Sequence, residues 1–422
     1  MLSRLLEHGC TKLFKISATT NEFKKLRRTI TGENKNSDFT PELINESLMT
    51  KVIEKISGQN EVFLIHDPCD IRKPYSEQLE DLGYVRDLNG KIITGYSSYN
   101  IVAITPTSKS INLLSHCSYS NQSSNFLKVD DIEKLNKNIA FDGDDIAKKL
   151  YDSGDFFNKK TLTRTEISRI SHELKSSNEN LNIIHILDRE FDANDNFKLI
   201  KTELGDDFVI RSKLSRIINE KDDAGKSIKL INSTFSHKSE RKAAKIKFKN
   251  KTYQDATLVI EWTDFNDNQA VKITVLDRTN KEIFKNAMLL ITSKKITSAD
   301  DAYEIYLIYL KRSKIEYVFK FLKDGLGWED MQIKDFKGIQ NLLSMCFYIS
   351  SYLYEIGKES AFDDYAILLA EIGGGKGVVS RHYILEGIKC VLAKYRVERV
   401  YKERNIPKKS QEALAQAFGG GD

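Results

Sequence analysis

The sequence predicts an α/β protein with a mainly β insertion and helical regions at both ends. Three observations carry this expectation. Apolar runs such as VFLI (62–65) and NIIHIL (182–187) read as central strands covered on both faces. Segments with helical apolar spacing, among them TRTEISRISHELKSS (163–177), alternate with those strands. Between 216 and 297 the helical spacing gives way to strand segments separated by Asn, Asp and Lys turns.

Taken in order, residues 1–57 form a short helical N-terminal region, read from LLEHGCTKLFKI, NEFKKLRRTI and TPELINESLMTKVIEKI. Lys24, Lys25, Arg27 and Arg28 make a small basic cluster there, either a solvated helix face or a DNA-contacting one. Residues 58–215 hold the first part of the core. KIITGYSSYNIVAIT (91–105) and SINLLSHCSYS (110–120) are strands, ANDNFKLIKTEL is a helix and DFVIRSKL is a further strand. The insertion, 216–297, contributes KIKFKN, ATLVIEW, AVKITVLD and NAMLLITS. Core helices follow over 298–358, opening on a capping box from Ser298 to Asp301 and running to about Lys323, with Gly325 and Gly327 as stops. A helical, basic C-terminal region occupies 359–422, and its tail, SQEALAQAFGGGD, is expected to fray.

Composition narrows the function classes. The chain of 422 residues has 65 Lys and Arg against 60 Asp and Glu, a net charge of +5 that is too small to decide for nucleic acid by itself. Five scattered cysteines without a C-x-x-C pair argue against a zinc cluster or disulfide framework and fit a reducing cytosol. No signal peptide is visible, and the apolar segment at 341–354 is too short and polar to span a bilayer, so no membrane partner is expected.

The chemistry concentrates at strand ends and on one helix. Asp67 follows VFLI and Asp188 follows NIIHIL, where ligand chemistry collects in such sheets. On a helix drawn through YLKRSKIEYVFKFLK (309–323), Tyr309, Arg312, Glu316 and Lys323 fall within a stripe about 60° wide, with Lys320 close beside it. An exposed face with an Arg312–Glu316 pair would explain part of this. Phosphodiester cleavage explains more of it. Two Mg²⁺ ions, with Mn²⁺ able to substitute, would be held by Asp67, Asp188 and Glu316, while Arg312, Lys320, Lys323 and Tyr309 position DNA.

The spacing Tyr-x2-Arg-x3-Glu-x6-Lys, met by Tyr309, Arg312, Glu316 and Lys323, resembles the signature of the insertion-sequence family 4 transposases, which are DDE enzymes. LDREFDANDNFKLI (187–200) is similar to that family's second-aspartate block, which makes Asp188 the catalytic aspartate with Arg189 and Asp192 as companions. FLIHDPCDI (63–71) stands where the family places its first aspartate. Asp67 fits that place, with Asp70 as a rival, and Pro68 and Cys69 replace the usual hydroxyl residues. The resemblance implies an RNase H-like core and cut-and-paste transposition of an insertion sequence. It also implies a homodimer on double-stranded transposon ends, a DNA hairpin with a flipped base, and a cytoplasmic, nucleoid-associated enzyme. Met288 stands where well-known members carry a stacking Trp, and Trp262 and Trp328 lie elsewhere. The N-terminal part is also short for an end-binding domain. A transposase-derived DNA-binding regulator is therefore the alternative, and a plain RNase H-like nuclease is a third reading.

Other signals carry less. The glycines from 373 to 377 lack phosphate-loop spacing and read as an interhelix turn. His66 and His185 read as core or supporting residues rather than metal ligands. Residues 376–409 carry ten Lys or Arg against three Glu, either a solvated face or a DNA or dimer contact.

Overall fold

The computed structural model describes residues 2–17, 19–33, 40–106, 110–128, 156–221, 225–248, 251–356 and 360–418. The last two residues of KIKFKN and the terminal GGGD lie outside them. Helices α1 (Leu2–His8), α2 (Leu13–Ile16), α3 (Thr20–Thr31) and α4 (Pro41–Ile56) come first. Strands β1 (Glu61–Arg72), β2 (Gly83–Arg86), β3 (Ile92–Ile104) and β4 (Asn112–Tyr119) follow. Then come α5 (Lys159–Ser177), β5 (Asn182–Leu187), α6 (Asn194–Lys198) and β6 (Asp207–Arg211). The expected insertion supplies a small pair, β7 (Ile217–Lys221) and β8 (Ser227–Lys229), and four strands, β9 (His237–Phe248), β10 (Lys251–Phe265), β11 (Asn268–Leu276) and β12 (Met288–Thr292). Helices α7 (Ala299–Leu310), α8 (Ser313–Lys320), α9 (Phe336–Glu355), α10 (Ser360–Ile372), α11 (Arg381–Glu403) and α12 (Lys408–Phe418) complete the chain.

The chain divides into two compact units. One comprises Asn45–Tyr75 and Asp81–Tyr317, the other Met1–Ile44, Ser76–Glu80 and Val318–Asp422. These limits cut across the expected segments: 1–57 is divided within α4, and 298–358 within α8.

In the first unit a ten-stranded sheet runs in the order β2-β3-β1-β5-β6-β12-β11-β10-β9, with β4 also on β3. β5 pairs in parallel with both β1 and β6, and the other pairings are antiparallel. Strands β9 to β12 of the 216–297 segment continue the core sheet rather than forming a layer of their own. β12 joins it by pairing Leu290, Ile291 and Thr292 with Arg211, Ile210 and Val209. Leu289, Leu290 and Ile291 are all buried, as a strand covered on both faces requires.

Side chains alternate across the pleat. From β1, Val62 and Leu64 enter a core shared with Met49, Val52 and Ile56 of α4 and with Ile167, Ile170 and Leu174 of α5. His66 follows on that face and begins a buried polar chain. The Tyr99 hydroxyl lies 2.7 Å from His66 Nδ1, His66 Nε2 lies 2.9 Å from His185 Nδ1, and His185 Nε2 lies 3.0 Å from Asp206 Oδ2. A carboxylate only accepts, so His185 donates from Nε2 and accepts at Nδ1. His66 then donates from Nε2 and accepts the tyrosine hydroxyl at Nδ1. On α5, the Ser171 hydroxyl donates to Asp206 at 2.5 Å and Lys175 Nζ lies 2.5 Å from its other oxygen. One tautomer assignment satisfies the whole chain. Burial holds His66 well below its ordinary value, and the neighbouring His185 adds to this.

In the second unit, the apolar stretch 341–354 lies in α9, where Leu342, Leu343, Phe347 and Leu353 are buried. Among the described residues no helix is long and apolar enough to cross a membrane. The glycine run is the turn between α10 and α11, with Gly374 and Gly377 at φ 84° and 83°. Gly373 and Gly387 serve close packing instead: a Cβ on them would fall 2.0 Å from the Tyr383 carbonyl oxygen and 1.9 Å from that of Leu369. The tail expected to fray is helical as far as Phe418, as α12. Its QEALAQA stretch is rich in helix formers, which favours that state. Lys24, Lys25, Arg27 and Arg28 are all exposed on α3. On α11 much of the expected basic charge is offset by acids, with Arg396 bound to Glu7 at 2.8 Å and Arg399 to Glu403 at 3.4 Å.

Candidate active site

The strand carrying Asp67 does not stop there, contrary to expectation. β1 continues to Arg72 because β3 keeps pairing with it as far as Arg72↔Gly95. Its parallel pairing with β5 ends at Ile65↔Ile186, so Asp67 lies just past the point where β1 loses one neighbour. Pro68, which has no N–H to give, falls where that side is open. Asp188 follows β5 directly. The two aspartates therefore emerge side by side, Asp67 on the face of β1 opposite His66.

The helix expected to run unbroken to Lys323 is interrupted. α7 starts on the expected capping box, with the Ser298 hydroxyl accepting the Asp301 amide at 3.1 Å. It ends at Leu310. The Lys311 and Arg312 amides then bond three residues back, to Ile308 and Tyr309, before α8 starts at Ser313. A π turn, Phe321–Gly325, follows α8. Arg312 sits in the break, and its guanidinium turns towards the strand ends.

That guanidinium gathers all three expected carboxylates. One of its terminal nitrogens lies 2.9 Å from Asp67 Oδ1 and 3.6 Å from Asp188 Oδ2; the other lies 2.9 Å from Glu316 Oε1. The aspartates are largely enclosed, whereas the Glu316 side chain is 60% exposed. Tyr309, expected to face DNA, is buried, with its hydroxyl 3.4 Å from Asp188 Oδ1. Burial pushes that hydroxyl up to about 12, with the Asp188 charge adding to the rise. Burial opposes the charge on Arg312, but the carboxylates of Asp67 and Asp188 more than offset it and hold the guanidinium protonated. Its Nε is buried without a hydrogen-bond partner among the described residues.

Burial also pushes the Asp67 carboxyl from 3.8 up to about 7, although Arg312 pulls the other way. Its contribution to stability is therefore fully present below 3.8 and is lost as pH rises through about 7. Asp67→Asn removes this dependence. The stability of the variant relative to the natural chain is expected to rise between about pH 5 and 7, by up to about 1.4 kcal/mol per pH unit. Urea unfolding across that range measures it; a difference that stays flat with pH would count against the buried, raised carboxyl.

Other expected residues have surroundings of their own. Asp70, an odd number of residues along β1, turns to the opposite face. It accepts the Arg86 amide at 3.2 Å and the Ser97 hydroxyl at 3.3 Å. Arg189 is exposed on the turn after Asp188. Lys320 is exposed at the end of α8, and Lys323, in the π turn, pairs with Glu329 at 3.0 Å. Met288 opens β12 opposite Ile273, half-buried. Asp192 is a buried clamp. It accepts the Ser212 hydroxyl at 2.9 Å and the Lys213 amide at 2.8 Å, and it binds the Arg216 guanidinium, tying the turn after β5 to the chain after β6. Sequence reading missed Arg216, Ser212 and Asp206. Only the His66 and His185 parity on two strands gave a hint of the buried chain.

Three carboxylates around one cationic group are donors suited to a hard divalent cation. Among the described residues, however, no group of three or more acidic, histidine or cysteine side chains is spaced to hold one as it stands. Arg312 lies between the donors.

Residues 159–352 match the family model of the transposase DDE domain. The matched span runs from α5 through most of α9 and includes Asp188, Tyr309, Arg312 and Glu316; Asp67 lies upstream of it. No curated protein matches the chain. The match to a transposase DDE domain supports a DDE transposase, and such a domain implies DNA as the substrate. DDE transposases generally use divalent metal, the chemistry for which these carboxylates are suited.

Proposed function

We propose that the protein is a DDE transposase of the insertion-sequence family 4 kind, which cuts transposon ends and joins the freed 3′-OH to target DNA. The observation that carries this reading is the convergence of Asp67, Asp188 and Glu316 on Arg312, just past the point where the parallel pairing of β1 and β5 ends. The strand order β3-β1-β5-β6, antiparallel then parallel, supports an RNase H-like core. Asp67, Asp188 and Glu316 would hold two Mg²⁺ ions, which supply a polarised water and a counter-charge for the leaving oxygen. Tyr309 orients Asp188, and Arg312 is the phosphate partner within the site. Lys320, Lys323 and Arg189 are further candidates for contact with the flanking backbone, and a homodimer would pair the two ends.

The test is incubation of the purified chain with its own element's ends and a target plasmid in Mg²⁺ or Mn²⁺. Nicked ends and strand-transfer products are expected. Binding without nicking would support the regulator instead, and nicking without joined products a plain nuclease.

A further inference from the structure

The arrangement that gathers the carboxylates also closes the site to cations. Arg312 reaches both aspartates with one nitrogen and Glu316 with the other. As folded, one guanidinium stands among three carboxyl groups. Removing it with nothing in exchange would leave carboxylates facing one another in a largely buried place, which is costly. A divalent cation competes for the same oxygen lone pairs and brings twice the charge. The released guanidinium then needs an anion, and a phosphate suits its planar fork. Its Nε meets no hydrogen-bond partner among the described residues, so this pose leaves one buried donor unsatisfied. Glu316, the most exposed of the three, is the member freest to let go.

We propose that Arg312 is the resident counter-ion of this site: an exchangeable latch that divalent cations displace and that a DNA phosphate then receives. The inference rests on the reading of Asp67, Asp188 and Glu316 as the cation-binding set. Cation and DNA each draw Arg312 off the carboxylates or hold it away from them, so each strengthens the binding of the other.

The probe is Mn²⁺, followed by titration calorimetry on the full chain with and without a short duplex, so no turnover is needed. Arg312→Gln is expected to bind Mn²⁺ about ten-fold more tightly than the natural chain in the absence of DNA. The enhancement by duplex seen in the natural chain should disappear. Arg312→Lys keeps the charge but loses the fork, and is expected to fall between the two; it decides the matter should the glutamine variant not fold. Unchanged or weaker Mn²⁺ binding in both variants overturns the latch. Asp188→Asn separates the two levels. If it abolishes Mn²⁺ binding while the Arg312 variants match the natural chain, the latch fails and the carboxylate reading stands. If Mn²⁺ binds equally to the natural chain, Asp188→Asn and the Arg312 variants, both fail.

Discussion

Replacing Glu316 by alanine is expected to slow strand nicking at least about a thousand-fold, a loss of about 4 kcal/mol of transition-state stabilisation. On the proposed reading, the size follows from removing one of three carboxylates that hold the metal ions together. Stability should hardly change. The Glu316 side chain is 60% exposed, and its partner is the adjacent-turn Arg312 at 2.9 Å. An exposed pair of this kind contributes under about 1 kcal/mol. DNA binding should stay within a few-fold, because the basic groups remain. Supercoiled plasmid or end-fragment nicking, with a thermal melt and a mobility-shift titration on the same sample, reads all three quantities. Nicking at the natural rate by a folded variant would remove Glu316 from the site. The intact melt is what makes the result interpretable, since a loss of activity through unfolding would show there first.

Much of the frame was legible because it is local. VFLI and NIIHIL are buried runs, and the structure places both in the middle of the sheet. Ser298 and Asp301 form their capping box from residues three apart, and the helix starts where they say. What escaped the sequence depends on distant partners. Nothing in YLKRSKIEYVFK breaks a helix by composition; there is no Gly or Pro. The break after Leu310 goes together with Arg312 meeting two carboxylates from other strands, a tertiary contact that no local pattern records. The 309–323 wheel therefore misplaced Tyr309, which is buried against Asp188, and Lys323, which lies in a π turn. β1 outruns its apolar run because β3 pairs with it through polar residues such as Ser97 and Ser98. The strands of 216–297 were legible as such, but their union with the core depends on β12 finding β6, a pairing of residues about eighty positions apart.

Asp206→Ala is expected to destabilise the sheet-bearing unit by about 3–5 kcal/mol, the cost of stripping one partner from a buried ionic network. Asp206 ends the buried chain and meets three donors: His185 Nε2 at 3.0 Å and the Ser171 hydroxyl at 2.5 Å, with Lys175 at 2.5 Å on its other oxygen. Alanine leaves all three without it, in a place where His185 and Ser171 are fully buried and water cannot replace it without opening the core. The effect should spread along the chain. Without its acceptor, His185 has no fixed tautomer, so His66 and Tyr99 lose the single arrangement that satisfies them. His66 and His185 lie on the strands that carry Asp67 and lead into Asp188, so the same loss loosens the spacing of the two aspartates. Acid offers an independent check. Burial alone would raise Asp206, but its bond from His185 and the contacts of Lys175 and Ser171 outweigh this and hold it below 3.8. Its stabilising contribution is present above that value and drains away as pH falls through its lowered one. The natural chain should therefore lose part of its advantage over Asp206→Ala as the medium is taken below about pH 4. Denaturant midpoints at neutral and acidic pH measure both effects; equal stability of the two chains at neutral pH would mean that the buried chain does not hold the strands.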